Sequence, residues 1–245
     1  MSADDIYSQP LQRVPDFVFD DKVADVFSDM INRSVPGYAT ITAVTGVLAE
    51  RFSQANTNIY DLGCSLGATT FAIASVAAEG CQCVAVDNSA PMIEKLNLGL
   101  KKNLGEISKR KVSVRPVLAD VLSVSIENAS MVAMNFTLQF LSIDQRAQLL
   151  QKICAGLNDG GILVLSEKIK LADNITNDLY TDLHHCFKRN NGYSELEISQ
   201  KRDAIENILI PESLESHKQR LLAAGFARVE VWFQCFNFVS LVAFR

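Results

Sequence analysis

The stretch Tyr60-Asp61-Leu62-Gly63-Cys64-Ser65-Leu66-Gly67 decides the fold of this chain. It ends an apolar run that starts at Asn58, and a helical pattern from about Thr69 to Ala78 follows it. The small residues at positions 63, 65 and 67 let the backbone approach a ligand closely, and the helix start offers free N–H groups and a positive dipole. The stretch therefore predicts a ligand-binding turn, with a purely structural tight turn as the alternative.

Short apolar runs alternate with longer amphipathic stretches along the chain, which is typical of repeated β-α units and a mostly parallel sheet. The predicted strands are Asn58–Leu62, Gln82–Asp87, Val112–Leu118, Met131–Phe136, Ile162–Ser166, Arg228–Phe233 and Phe238–Phe244. The turn between the last two is too short for a crossover, so we expect an antiparallel hairpin at the sheet edge. Helices are predicted over 144–157, ending in a left-handed turn at 158–161, and over 211–224.

Two helical additions flank this seven-stranded α/β core. Val23–Ile31 and Ile41–Phe52 are amphipathic patterns that resemble a lid over a ligand pocket. Between 168 and 210, an apolar stripe every four residues and the capping box Ser194-x-x-Glu197 predict two inserted helices. We expect a single domain, 1–245, with a helical lid (1–56), a Rossmann-like core (57–167 and 211–245) and a helical insertion (168–210).

The composition narrows the class of partner. Among 245 residues, 23 Lys and Arg stand against 28 Asp and Glu, for a net charge of −5, which disfavours direct nucleic-acid binding. No apolar run approaches the ~18 residues of a membrane span, and the N-terminal MSADDIYSQPLQR contains no export signal, so we expect a cytoplasmic protein. The six cysteines are scattered in apolar contexts and are expected to be buried free thiols rather than disulfide or zinc ligands.

Two acidic residues, Asp87 and Asp61, indicate which kind of ligand the chain binds. Asp87 ends the second strand, where a carboxylate can accept hydrogen bonds from both hydroxyls of a ribose. Capping the next helix is its alternative role, but Asn88 and Ser89 are better placed as caps, which leaves Asp87 free. Ser65 stands where a dinucleotide fingerprint has glycine, and the leading Asp61 is more typical of S-adenosylmethionine sites.

The ends of the next two strands extend the same layout. Asp120 and Val121 follow the third strand, where a carboxylate can accept from an adenine amino group, and Asn135 ends the fourth strand beside the expected sulfonium. The alternative for each is a polar residue that turns a loop. A parallel sheet closed by an antiparallel hairpin is the layout of class I S-adenosylmethionine-dependent methyltransferases.

Longer stretches resemble one family within this class. They are SVPGY (34–38), YDLGCSLGAT (60–69), VDNS (86–89), ENASMV (127–132), NFTLQFL (135–141), LSEK (165–168), FKRNNGYSELEISQKR (187–202) and WFQCFNF (232–238). The chain thereby resembles the carboxy-S-adenosyl-L-methionine synthases of the tRNA wobble-uridine 5-oxyacetate pathway. NGYSELEISQKR and WFQCFNF are specific to that family, whereas the other motifs occur in many enzymes.

The resemblance implies an enzyme that condenses S-adenosylmethionine with prephenate, giving carboxy-S-adenosylmethionine, phenylpyruvate and water. A partner enzyme of the pathway then transfers the carboxymethyl group to tRNA. Prephenate can supply both the carbon dioxide and the hydroxide that removes a methyl proton, so neither a protein base nor a metal is implied. Since the inserted helices carry more apolar side chains than they can bury, a homodimer through the insertion is expected.

The family's ligand positions carry over residue by residue. They are Tyr38, Gly63, Cys64, Ser65, Asp87, Asn88, Asp120, Val121, Asn135 and Arg202. Arg202 is expected to bind the added carboxylate, because a guanidinium matches a carboxylate in bidentate geometry. Its alternative is a solvated helix charge paired with Asp203 or Glu206.

Other residues have plainer interpretations. His184, His185 and His217 are expected to be surface or interface residues. The aromatic side chains at 232, 233, 236 and 238 are expected to belong to the core, although an aromatic substrate would also suit them.

Two other functions stay open. One is an ordinary small-molecule methyltransferase. The other is a non-catalytic cofactor-binding module or regulatory partner of a tRNA-modifying enzyme. The mass of the co-purified ligand separates the first from a synthase, and turnover of prephenate by the isolated protein excludes the second.

Overall fold

A computed structural model describes residues 3–108 and 111–245 and contains one seven-stranded sheet. Its strands are β1 (Asn58–Leu62), β2 (Gln82–Asp87), β3 (Ser113–Leu118), β4 (Ala129–Asn135), β5 (Leu157–Lys168), β6 (Arg228–Cys235) and β7 (Phe238–Phe244). The spatial order is β3-β2-β1-β4-β5-β7-β6. The first five strands are parallel, and β7 runs antiparallel to both β5 and β6. The predicted parallel sheet with a C-terminal hairpin is confirmed.

Helices cover both faces of the sheet. They are α1 (Asp21–Ser34), α2 (Tyr38–Phe52), α3 (Ala68–Ala74), α4 (Ala90–Ser108), α5 (Ile143–Gly156), α6 (Asn174–Asn190), α7 (Glu195–Ile205) and α8 (Leu214–Ala223), with a short 3-10 turn at Leu138–Phe140. One apolar cluster joins the sheet to α5 and α8, and a second joins its other face to α2 and α3. Within the described ranges, no helix has the length and apolarity needed to cross a bilayer.

Several predicted boundaries differ from those of the structure, and three of them are instructive. The helix α3 ends at Ala74 instead of Ala78. The helix α8 starts at Leu214 instead of Pro211, because the Ser213 side chain accepts from the backbone N–H of Ser216 and caps the helix there. The segment 158–161 does not end α5 in a left-handed turn: Leu157 is already extended, and 158–161 belongs to β5 with an irregular register against β4.

The N-terminal segment is held against the insertion. The side chain of Gln200, on α7, donates to the backbone carbonyls of Tyr7 and Gln9, and the N–H of Phe17 donates to the carbonyl of Ala204. The capping box of Ser194 and Glu197 that starts α7 is confirmed. Residues far apart in the chain thus meet above the carboxyl edge of the sheet.

Candidate active site at the carboxyl edge of the sheet

A cavity of about 690 Å³ lies at the carboxyl ends of the central strands. Its position beside β1, which has β2 on one side and β4 on the other, is where open α/β sheets bind ligands. All of the predicted ligand positions except Arg202 line it. Those that do are Tyr38, Gly63, Cys64, Ser65, Asp87, Asn88, Asp120, Val121 and Asn135.

The turn after β1 is shaped for close backbone approach. Gly63 has φ +79°, and a Cβ atom there would lie 2.1 Å from Thr137 Oγ1. The N–H groups of Gly63 and Cys64 both donate to the carbonyl of Val86 on β2. Ser65 also adopts a left-handed φ of 47°. The turn therefore needs glycine at position 63, and β2 fixes its path.

The Asp87 carboxylate is held by backbone amides on both sides. Its Oδ2 accepts from Ser65 N at 2.8 Å, and its Oδ1 accepts from Ser89 N at 2.9 Å. The expectation of a free carboxylate is therefore wrong, although each oxygen keeps a further lone pair for a ligand hydroxyl. Burial raises the pKa of Asp87, and the hydrogen bonds from Ser89 and Ser65 oppose that shift. Ser89 is the cap of α4, as predicted, because its Oγ accepts from Met92 N.

Asn135 is oriented by one neighbour on α3 and one on β5. Its Nδ2 donates to Thr69 Oγ1 at 3.1 Å, and its Oδ1 accepts from Ser166 Oγ at 2.6 Å. Ser166 in turn contacts Ser240 Oγ at 2.7 Å. The amide is thus fixed before any ligand arrives.

Asp120 occupies an exposed turn at the opposite rim. Its Oδ1 accepts from Leu122 N at 2.8 Å, which is the turn role weighed as its alternative. The side chain still faces the cavity beside Val121. Both roles are therefore compatible with the geometry.

The lid helices and the N-terminal segment cover the cavity. Tyr38 begins α2, and burial raises the pKa of its phenol to about 12, so it is a hydrogen-bond donor at neutral pH. Phe17 and Phe19 line the cavity and stack edge-to-face at 5.1 Å, and Phe19 makes a similar contact with Phe140 at 5.6 Å. The sequence contained no motif that assigned Phe17 and Phe19 to the site.

Arg202 lies outside the cavity of its own chain. Its side chain is 56% exposed and pairs with Asp203 at 3.3 Å, as in the alternative of a solvated charge. Its charge nevertheless helps to lower the pKa of Lys188, which lines the cavity. Arg202 is therefore close to the site without reaching it within one chain.

The cavity is also lined by four cationic or titratable side chains that were not predicted as site residues. They are Lys168, His184, Lys188 and Lys201. His184 and His217 are both buried, so the prediction that they are surface residues is wrong for them. The position of Lys168 at the carboxyl end of a parallel strand was the one available signal in the sequence.

Two further predictions concern the aromatic residues near the C-terminus and the cysteines. Of the four aromatic residues at 232, 233, 236 and 238, only Phe238 lines the cavity. Cys186 is exposed and Cys235 half-buried, whereas the other four free cysteines are buried as expected.

The cavity residues fit S-adenosylmethionine. Asp87 offers acceptors for ribose hydroxyls, Gly63 permits close approach of the ligand to the turn, and Asn135 presents a fixed amide between β1 and β5. The volume is within the range of small-molecule sites.

Comparison with known proteins supports this class. A sequence model described as a methyltransferase domain matches residues 59–161. A solved Methanococcus maripaludis protein, described as an S-adenosyl-L-methionine-dependent methyltransferase, superimposes with a TM-score of 0.58 at 18% identity, covering 96% of each chain. Carboxy-S-adenosyl-L-methionine synthase of Vibrio cholerae is 53% identical over 99% of this chain and 97% of its own length. The synthase of Photobacterium profundum is 52% identical over 99% of this chain and 98% of its own.

The fold and the cavity together define a class I methyltransferase-type enzyme that uses S-adenosyl-L-methionine. Within that class, the chain belongs to the carboxy-S-adenosyl-L-methionine synthase family and is a transferase.

Proposed function

We propose that the protein makes carboxy-S-adenosyl-L-methionine from S-adenosyl-L-methionine and prephenate, with phenylpyruvate and water as the other products, for the modification of tRNA wobble uridine. The observation that carries this proposal is the 53% identity to named synthases over nearly the whole of both chains. The covered cavity also suits a reaction in which released carbon dioxide has to be captured before it escapes.

The bound cofactor supplies a methyl group made acidic by the adjacent sulfonium. The chain's own residues bind and orient it: Asp87 accepts from the ribose, and the turn at Gly63 approaches its amino-acid part. Prephenate contributes the carbon dioxide and the hydroxide that becomes water, so no side chain has to act as a general base. Phe17 and Phe19 line the cavity, where their rings would restrict the access of bulk water.

Arg202 is proposed to bind the added carboxylate across a homodimer. It lies on α7 within the insertion, outside the cavity of its own chain. The neighbouring helix α6 exposes Ile175 at 81% and Leu179 at 52%, an apolar face that a second copy would cover. We infer that a dimer formed through this face would bring the insertion of one copy toward the cavity of the other.

The product would pass to a second, cytoplasmic enzyme that transfers the carboxymethyl group to tRNA. The net charge of −5 supports a protein that does not itself bind the RNA.

Native mass spectrometry of the purified protein tests the proposed function. A bound ligand heavier than S-adenosyl-L-methionine by one carbon dioxide is expected, together with formation of the same species when prephenate is added. Unmodified cofactor and methyl transfer to another small molecule would instead establish an ordinary methyltransferase.

A further inference from the structure

Three lysines meet at one end of the cavity. Lys168 is the last residue of β5, Lys188 lies in the last turn of α6, and Lys201 lies on α7. All three line the cavity, which Asp87 and Asp120 also line. Asp87 ends β2 and Asp120 follows β3, on the other side of β1 from β5. The cavity is therefore acidic on the side of β2 and β3, where the ribose and adenine are expected, and basic on the side of β5.

Within residues 3–108 and 111–245, Lys201 alone of these three lysines has a counter-charge. Lys201 Nζ lies 3.0 Å from Ser34 Oγ and 3.5 Å from Asp4 Oδ2. Among the residues the structure describes, the ammonium groups of Lys168 and Lys188 have neither a hydrogen-bond acceptor nor a carboxylate partner, and Lys188 is only 9% exposed. Because burying an unpaired ammonium is costly, this arrangement is suited to receive an anion.

The surroundings make an unpaired charge still less favourable. Burial, followed by the charges of Lys201, Lys168 and Arg202, lowers the pKa of Lys188 to about 7. Burial likewise lowers the pKa of Lys168. An anion between the two ammonium groups would offset both burial and repulsion.

Aromatic rings flank the two lysines. His184 Nε2 lies 2.8 Å from the carbonyl oxygen of Ser34, so this nitrogen donates the hydrogen bond. Burial lowers the pKa of the His184 imidazole to about 2, so the ring is neutral at physiological pH. The imidazole packs edge-on against Phe238 at 4.8 Å, and Phe238 packs against Phe136 at 6.0 Å. This wall suits the ring of a substrate whose carboxylates bind the lysines.

We propose that Lys168 and Lys188 bind the carboxylates of the second substrate, a ring-bearing dicarboxylate. The inference rests on the proposed function, in which that substrate is prephenate. Two carboxylates would neutralise two ammonium groups beside a cationic sulfonium, and this charge balance would favour a dicarboxylate over an uncharged methyl acceptor.

Steady-state kinetics of Lys188→Met and Lys168→Met test the proposal, with Lys170→Met, an exposed lysine two residues beyond β5, as the matched control. The KM for prephenate should rise about tenfold to a hundredfold in each of the first two variants and stay unchanged in the control. Affinity for S-adenosyl-L-methionine should be unchanged or slightly higher, since a repelling cation has been removed.

Thermal unfolding separates substrate binding from a structural role. Without substrates, Lys188→Met should unfold at a higher temperature than the wild type, because an unpaired buried charge is gone. A purely structural lysine would give a lower unfolding temperature and an unchanged KM for prephenate, and that result would overturn the proposal.

A further experiment distinguishes failure of the anion site from failure of the proposed function. If the wild type does not turn over prephenate, the proposed function is wrong, and malonate serves as the probe of the lysines. Thermal stabilisation by malonate of the wild type, but not of Lys188→Met, would still support an anion site, whereas equal stabilisation of both proteins would exclude it.

Discussion

The carboxylate of Asp87 accepts a hydrogen bond from the backbone N–H of Ser65 at 2.8 Å, which joins the end of β2 to the turn after β1. The same side chain accepts from Ser89 N at the start of α4. A single carboxylate therefore fixes the turn and the helix start while facing the cavity, so a substitution here affects both ligand contact and local order.

Asp87→Ala should weaken binding of S-adenosyl-L-methionine by about 1.5–3 kcal/mol, the usual cost of losing a hydrogen bond to a charged group. Isothermal titration calorimetry measures the change. Asp159→Ala, which removes an exposed carboxylate at the other end of the sheet, is the control and should bind normally. Unchanged affinity in a folded Asp87→Ala protein would remove Asp87 from the binding site.

Gly63→Ala should lose both stability and cofactor binding. Its positive φ costs an L-residue about 1–2 kcal/mol, and the new Cβ atom would overlap Thr137, which adds about 1–3 kcal/mol. Gly160→Ala is the matched control, because Gly160 also has a positive φ, +75°, but the nearest atom to its Cβ would be 3.9 Å away. Chemical denaturation should show a smaller loss for Gly160→Ala, and equal losses would contradict the overlap at position 63.

Arg202→Ala should lose the preference for the carboxylated cofactor while it keeps affinity for S-adenosyl-L-methionine. Arg202→Lys should also be impaired, because it retains the charge and loses the bidentate guanidinium. Binding of both ligands is compared with Arg189→Ala, which removes another exposed arginine of the insertion. If the ratio of the two affinities stays that of the wild type in folded, dimeric Arg202→Ala, Arg202 is only a surface charge.

The apolar face of α6 should mediate dimerisation. Ile175→Asp and Leu179→Asp place charges on that face and should shift the protein from dimer to monomer in light scattering at micromolar concentration. Leu222→Asp, at a leucine of α8 that is 51% exposed, should leave the dimer intact. A wild-type protein that is monomeric under these conditions would argue against the proposed interface.

The ion pair of Arg146 and Glu212 should make stability depend on acidic pH. Burial alone would raise the pKa of Glu212, but hydrogen bonds from Arg220 and Arg146 outweigh it and hold the pKa below its ordinary value of 4.5. The stabilisation is therefore complete above pH 4.5 and is lost as the pH falls through the lowered pKa. Urea denaturation between pH 3 and 7 measures this loss.

Arg146→Met should weaken that pH dependence, because Glu212 keeps only the hydrogen bond from Arg220. It should cost about 3–5 kcal/mol at neutral pH, since a buried ion pair is broken. The Arg146 side chain is fully buried and also donates to the carbonyls of Leu141 and Ile210. An unchanged pH profile in this variant would assign the acid sensitivity to another group.

Local sequence patterns were sufficient to predict the strands at the centre of the sheet. The strands β1 and β2 start and end as expected, because each is a short apolar run bounded by turn residues. The helix stop predicted at 158–161 is misplaced: Gly160 is left-handed, with φ +75°, but α5 has already ended at Gly156 because Leu157 pairs with Ala129 of β4. Tertiary pairing overrode a local preference at that point.

Within the site, the residues on strand ends were predictable and the others were not. Asp87 and Asn135 occupy positions where parallel strands end, which fixes them near a ligand in this fold. Lys188 and Phe17 approach the cavity from α6 and from the N-terminal segment, whose docking depends on contacts between distant residues. No pattern within either segment specifies that docking.

The contact between Gln200 and Tyr7 joins residues 193 positions apart, and it has a consequence for synthesis. On the ribosome, the segment with Tyr7 is made before α7, so its contact with Gln200 can form only after α7 has been translated. The β1 and β2 portion of the cofactor site can form earlier, so a nascent or prematurely terminated chain would present that portion without its cover. Cofactor bound at that stage would dissociate freely into solution. The chain would retain bound cofactor only after α7 has been translated and the N-terminal segment has docked on it.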